Sequence, residues 1–335
     1  MKTNKIDVHH HIFPKEYVNA LKELDVNDAL GFPFPDWNPK TSIKGMNSNG
    51  VKIALLSVST PGVYFAKRKF PEGFSEKLAR IANNAIAQTI SEHPNRFGGF
   101  ATIPLLNVDC AIEELGYALD TLKFNGVCLF SNYRGIYLGD KQFEPFFQEL
   151  DRRKTVVFVH PNDPYGIFNP NTEVPNALIE APFETTRAVA NMLYNGIPGR
   201  YPNIKYILSH GGGTIPYLAW RLASIEYGQK GKKVPVIRAL YDFLIKGRPE
   251  KGLRHLKNMY YDTANVSGNY ALKTLNAFAS PENIVFGTDL TISKLSSIIT
   301  NNFSKESEMN KEELDNVFYR NGLYLFPELE KIYNQ

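Results

Sequence analysis

Eight short runs rich in β-forming residues recur along the chain: Lys5 to Val8, Val51 to Val58, Gly98 to Ile103, Gly126 to Phe130, Thr155 to Val159, Ile204 to Leu208, Asn258 to Tyr261 and Ile284 to Phe286. Most are followed by a longer stretch with helical spacing, the pattern of βαβ units joined into a parallel sheet. Those stretches run over Ser75 to Glu92, Asp109 to Lys123 with Asp109 as a candidate N-cap, Phe143 to Arg152, Glu184 to Asn195, Ile215 to Tyr227 and Tyr270 to Ala279. Eight alternations predict an α/β fold, a (β/α)8 TIM barrel. Such barrels take roughly 250 residues plus insertions as one domain, so a single domain over residues 1–335 is expected. Two segments are too irregular for regular elements: "GFPFPDWNP" at Gly31 to Pro39, read as an inserted loop after strand 1, and Pro161 to Pro175 after strand 5. A C-terminal helical extension is expected from about Lys311.

Composition removes several function classes. With 43% hydrophobic and 21% charged residues the chain sits near globular averages. It has no 18-residue apolar run and no apolar stretch after Met1-Lys2, so neither a membrane span nor a signal peptide is expected, and a cytoplasmic protein is the default. Cys110 and Cys128 alone make no disulfide framework and no thiolate metal cage, and fit a reducing compartment. The net charge of +4 is mild, and the basic groups Lys67-Arg68-Lys69 and Lys230 to Lys233 are short and isolated, which reads as solvated loops and no nucleic-acid partner.

In parallel barrels the chemistry sits where strands end, because the βα loops surround one open mouth. Strand 1 ends on His9 and His11, strand 5 on His160, strand 6 on His210, strand 7 on Asp262 and strand 8 on Asp289. Taken singly, each has a mundane reading as a hydrogen-bonded loop residue or a cap. Their joint placement points to a metal site. Side chains alternate along a strand, so His9 and His11 share a face, with Asp7 on that face too, while His10 points into the helical layer. Imidazole suits Zn, Mn or Fe, and a catalytic site keeps a position open for water or substrate. His9, His11, His160 and Asp289 would supply it, leaving His210 as acid or base. Asp262 is either an orienting partner of an imidazole or a strand-end cap. His93 and His255, in or beside helices, read as structural or solvent-facing.

The segments "DVHHHIFP", "SVSTPGV", "SNYRGIYLGD", "FVHPNDP", "PFETTRAVANMLYNGIPGRYPNIKYILSHGGGTIPYLAWRL" and "IVFGTD" resemble, in order and over most of the chain, the metal-dependent decarboxylase branch of the amidohydrolase superfamily. That branch includes aminocarboxymuconate-semialdehyde, γ-resorcylate, 5-carboxyvanillate and 6-methylsalicylate decarboxylases, and Pro182 to Leu222 is most similar to the last type. The resemblance implies one divalent metal, Zn2+ or Mn2+, held by His9, His11, His160 and Asp289, with His210 as acid or base. It also implies that Arg221 binds the substrate carboxylate, in some relatives from a neighbouring subunit, hence a homodimer or higher oligomer. Three departures stand out: Leu290-Thr291-Ile292 replaces an aromatic-Pro run, Asn162-Asp163 stands where semialdehyde decarboxylases carry tryptophan, and "MNSNG" at Met46 to Gly50 replaces a more usual "MDxxG".

The resemblance implies non-oxidative decarboxylation of an ortho-hydroxybenzoate such as 6-methylsalicylate. CO2 lost directly would leave an aryl anion, so the ring carbon must first be protonated, by Asp289 or His210, unless a hydroxide adds first. Phe32, Phe34 and Trp37 either close over a flat ring or anchor their loop. Arg68, Arg134 and Lys40 are further loop cations. The main rival is a mononuclear hydrolase of a lactone or amide; a binuclear one is disfavoured because strand 4 ends "GVCLFSN" without the lysine that bridges two metals. A non-catalytic metal-binding barrel would not need His210 and Arg221.

Overall fold

Strands covered on both faces need near-continuous apolar sequence, and "VKIALLSV", "GVCLF" and "VVFVH" supply it. The structure, a computed structural model, describes residues 4–64, 71–165, 173–223, 250–266, 268–290, 303 and 305–335. Eight strands form one sheet: β1 (Lys5–Ile12), β2 (Val51–Val58), β3 (Phe97–Thr102), β4 (Gly126–Phe130), β5 (Val156–His160), β6 (Lys205–Leu208), β7 (Tyr260–Asp262) and β8 (Ile284–Val285). Each pairs in parallel with the next. The ring returns on itself after β8, where the Val8 amide donates to the Phe286 carbonyl at 2.9 Å and the Asp289 amide to the His9 carbonyl at 2.9 Å. All eight predicted strands are present, and β1 runs beyond Val8 through the three histidines.

The helices around the sheet are α1 (Lys15–Lys22), α2 (Pro39–Asn49), α3 (Phe74–Glu92), α4 (Val108–Gly116), α5 (Glu144–Arg152), α6 (Glu180–Tyr194), α7 (Ile215–Ala223), α8 (Glu250–Lys257) and α9 (Asn269–Phe278). Two expectations need correction. Asp109 is not the N-cap of α4: the Asn107 side chain accepts from the Cys110 amide, and Asp109 sits in the first turn. That helix also stops short of Lys123, passing at Tyr117–Thr121 into a wider π turn. The remainder of Ile215 to Tyr227, together with Lys67-Arg68-Lys69, Lys230 to Lys233 and Thr291-Ile292, lies outside the described residues.

The inserted loop after β1 is more ordered than its composition suggests. Asp28–Ala29 pairs antiparallel with Phe32–Pro33, and Pro39 opens α2 behind a capping box between Asn38 and Thr41. "MNSNG" now has a reading: Met46 is buried against the core, Asn49 donates to the Gly45 carbonyl at 2.8 Å, and Gly50 ends the helix at φ 68. The Gly50 carbonyl then accepts from the Lys5 amide at 3.1 Å, which places the start of β1.

The C-terminal extension begins at Lys311 behind the Asn310 cap, as expected, and it closes the end of the barrel where the strands begin. There the Tyr333 hydroxyl donates to the Asn4 carbonyl at 2.8 Å and Lys52 Nζ to the Tyr333 carbonyl at 2.5 Å. Leu325, Phe326 and Leu329 are buried with Ile6, Val8, Phe100 and Phe158 inside the barrel. Phe326 meets Phe100 edge-on at 5.7 Å, and Phe100 stacks on Phe158 at 5.5 Å. Phe326→Ala is therefore expected to cost about 3–5 kcal/mol, read as a lower urea midpoint.

Candidate active site

β1 carries a β-bulge. Asp7 pairs with Ala54 but His10 with Leu56, so three steps on β1 face two on β2. The extra residue lets Val8 and His9 both face the interior, after which alternation resumes with His10 out and His11 in. Asp7 therefore does not share the face of His9 and His11, contrary to simple alternation. Its carboxylate lies 3.1 Å from His10 Nδ1 and accepts from the Thr288 amide at 3.0 Å and the Thr288 hydroxyl at 2.5 Å. His10 Nε2 lies 2.8 Å from Ser42 Oγ on α2, so His10 ties β1 to the helical layer, as expected.

His9, His11, His160 and Asp289 converge, with one ligand atom from each all within 4.8 Å of one another and all four residues buried. His9 Nε2 lies 2.9 Å from His11 Nε2, which lies 3.1 Å from His160 Nε2. Asp289 Oδ1 lies 3.2 Å from His9 Nε2 and 3.3 Å from His11 Nε2. The outer ring nitrogens are already engaged. His9 Nδ1 meets Asp262 Oδ2 at 2.6 Å, His160 Nδ1 meets the Pro161 carbonyl at 2.9 Å, and His11 Nδ1 meets Ser57 Oγ at 3.1 Å. Carbonyl and carboxylate oxygens only accept, so neutral His9 and His160 carry their protons on Nδ1 and turn bare Nε2 lone pairs inward.

Those lone pairs and the carboxylate oxygen repel one another unless positive charge lies between them. Asp289 Oδ1 has no hydrogen-bond partner despite its burial. Burial alone would lower His9, yet Asp289 and then Asp262 hold it up at about 10, so a proton on His9 Nε2 supplies that positive charge until a cation takes its place and leaves His9 neutral. Burial takes His11 down to about 4 and His160 well below the usual histidine value. Burial would raise Asp289, but the charge on His9 and donors from His11 and His210 keep it well below the carboxylate range. Three imidazole nitrogens and one carboxylate oxygen, with no thiolate, fit one borderline divalent cation that keeps a coordination position open.

Asp262 proves to be an orienting group. Beyond His9, its Oδ1 accepts from the His210 amide at 2.7 Å and the Ala264 amide at 3.1 Å. Gly287 permits this crowding, because a Cβ there would lie 2.9 Å from the His9 Cβ. His210 adopts φ 54, which is uncommon outside glycine, and its Nε2 lies 3.4 Å from Asp289 Oδ2. Three glycines with positive φ follow, and a Cβ on Gly213 would fall 2.1 Å from the Pro182 carbonyl oxygen. The "HGGG" run is thus the turn that hands β6 to α7 while holding His210 at the mouth.

That mouth is a cavity of about 1020 Å³ whose wall includes His160, His210 and Asp289. Asn265, also on the wall, was not foreseen. Its Nδ2 donates to Asp289 Oδ2 at 2.6 Å, which leaves Oδ1 aimed at the cluster. An asparagine three residues past a strand is an ordinary turn former, so nothing local marked it. Ser57, behind His11, was equally unmarked. Arg221 is not brought to the cavity within one chain: it lies on the exposed side of α7, one turn beyond Tyr217 on the rim. Of the loop aromatics only Phe32 lines the cavity; Trp37 is buried with its indole N–H donated to Ser42, and Phe34 packs on Phe13. Arg134 and Lys40 are not among the described lining residues, and Arg68 lies outside the described residues. At the end of β4, Phe130 packs against the His160 ring at 6.0 Å.

Replacement separates the three adjacent histidines. His9→Ala and His11→Ala are expected to empty the protein of metal by elemental analysis, whereas His10→Ala keeps it. Equal loss in all three would contradict the geometry.

A family model described as amidohydrolase matches residues 6–327. The 6-methylsalicylic acid decarboxylase of Penicillium expansum is 33% identical over 332 residues, 98% of each chain. A crystal structure of an amidohydrolase II superposes with a TM-score of 0.84 at 28% identity, over 96% of this chain and 99% of that one. The dihydroxybenzoic acid decarboxylase of Polaromonas sp. JS666, with bound manganese and the inhibitor 2-nitroresorcinol, superposes at 0.74 and 19% identity, over 98% and 97%. Likeness over the whole barrel, joined to the convergence of His9, His11, His160 and Asp289, places the chain in the metal-dependent decarboxylase branch of the amidohydrolase superfamily.

Proposed function

We propose that this protein is a metal-dependent, non-oxidative decarboxylase of small ortho-hydroxybenzoates, with 6-methylsalicylate or a close analogue as substrate. The observation that carries the reading is a buried three-histidine, one-aspartate cluster at the floor of a cavity that no other charged residue lines among the described residues. His9, His11, His160 and Asp289 would hold one divalent ion, Zn2+ or Mn2+. When bound, that ion would supply the positive charge that gathers carboxylate and phenolate oxygens at one point. A lactone or amide hydrolase is the lesser reading.

The chemistry asks the protein for one proton in the right place. With the phenol ionised, its electron pair reaches the ring carbon that bears the carboxylate, and protonation there gives a dienone. The C–C bond then breaks, CO2 leaves, and the bonding pair restores the aromatic ring. His210 is the proton donor in this account, because its ring lines the cavity while both Asp289 oxygens are committed, one to the cluster and one to Asn265. Asp262 fixes His210 through its backbone amide.

A planar guanidinium is the natural clamp for a substrate carboxylate, and Arg221 takes that role from a neighbouring copy. Exposed Phe32, Leu178, Tyr217 and Tyr270, all on the cavity wall, support this, since large apolar groups around the mouth suit burial against a second copy. Residues 1–335 thus act as one barrel domain within a homodimer at least. Two free thiols, Cys110 and Cys128, support a reducing, cytoplasmic setting.

Two assays test the reading. The metal-loaded protein is expected to release CO2 and a phenol from 2-hydroxybenzoates including 6-methylsalicylate; turnover of lactones with no CO2 would overturn it. His210→Ala and Arg221→Ala should each be nearly inactive. After reassortment of an equal mixture, about one quarter of wild-type activity should return if Arg221 acts across the interface. No recovery would place Arg221 in its own subunit's site or outside it.

A further inference from the structure

The cavity is larger and more apolar than a methylated hydroxybenzoate requires. Pockets of about 300–1,000 Å³ hold drug-sized ligands, whereas 6-methylsalicylate has only about a dozen heavy atoms. At about 1020 Å³ in the single chain, this cavity has room beyond the ring and beyond the Arg221 guanidinium that the proposed dimer brings to it. His160, His210, Asn265 and Asp289 meet at one end, and the only other polar side chains on the described wall are two threonines and the strongly exposed Tyr217 and Tyr270. Elsewhere the wall is made by Leu30 after β1, Leu178 before α6, Pro216 on α7, Val266 after β7 and Leu275 on α9. The two threonines among them offer a ligand little. The Thr274 hydroxyl donates to the Tyr270 carbonyl at 2.9 Å, and the Thr214 hydroxyl lies 2.9 Å from that of Thr186.

We infer that the apolar part of the cavity is a subsite for an alkyl substituent larger than methyl, so that the preferred substrates are ortho-hydroxybenzoates carrying an alkyl chain. The inference rests on the decarboxylase reading for its chemistry and on the wall for its selectivity. Each methylene taken from water into such a wall is worth about three- to fourfold in affinity. A second ring hydroxyl or carboxylate turned toward it would lose water and gain no partner, at a cost of roughly tenfold or more. The same wall would thus refuse a dihydroxybenzoate that the polar end alone would accept.

The test compares 6-methyl-, 6-propyl- and 6-pentylsalicylate with 2,6-dihydroxybenzoate on the metal-loaded wild-type protein, reading kcat/KM by CO2 release and affinity by calorimetry. The expected result is a rise of about three- to fourfold per methylene over the first steps, with 2,6-dihydroxybenzoate roughly tenfold or more below the methyl compound. Ala271 also lines the cavity, and Ala271→Phe should lower the ratio of pentyl to methyl in both measurements. A flat chain-length series, or 2,6-dihydroxybenzoate matching the methyl compound, overturns the alkyl subsite and leaves the decarboxylase reading intact. Absence of CO2 from every acid removes the decarboxylase reading, and the calorimetric series then decides the subsite alone.

Discussion

The centre of this molecule is an electrostatic demand. Three imidazole nitrogens and a carboxylate oxygen point at one spot in a buried setting, and without positive charge there they would push each other apart. Much of the surrounding architecture holds that arrangement against its own repulsion. Asp262 grips His9 on one side, Ser57 and the Pro161 carbonyl brace His11 and His160, and Asn265 keeps Asp289 turned. Below, the Phe158 ring meets His9 edge-on at 4.9 Å and rests on Phe100, which rests on Phe326 of the C-terminal extension. The far end of the chain thus forms the packing on which the first ligand stands.

Holding the site is not free of strain. His210, Asn265 and Asp289 adopt φ of 54, 55 and 56, a region that costs a non-glycine residue on the order of 1 kcal/mol each. All three line the same cavity. The barrel tolerates this because the strands behind them are locked by parallel pairing and a dry core, and what it gains is side chains aimed at one point from three different loops. Gly287 and Gly213 show the same economy, since each occupies a place where any Cβ would collide with the site or its supporting turn.

The strands and the ligand pattern were legible in the sequence because both are local or periodic. "VKIALLSV" announces a buried strand by itself, and His-x-His announces one face of a strand even with a bulge just before it. What escaped was information that only folding creates. The bulge in β1, which moved Asp7 to His10 and Thr288, depends on register against β2. Asn265 looked like any turn asparagine until β8 brought Asp289 within 2.6 Å. Helix α2 was missed because "TSIKGMNSN" is a weak helix former, stabilised by a capping box and by burial of Met46. Arg221 came into view only through family resemblance, and the single chain leaves it outside the cavity.

Whether one metal ion at the His9, His11, His160 and Asp289 cluster is what makes this barrel a decarboxylase can be tested in one titration. Metal-stripped protein is titrated with Mn2+ or Zn2+ in the presence of 6-methylsalicylate, and CO2 release is followed. A linear rise that levels at about one ion per chain is expected, matching the single N3O donor set. Release that is independent of metal, or that climbs to two ions per chain, would contradict it.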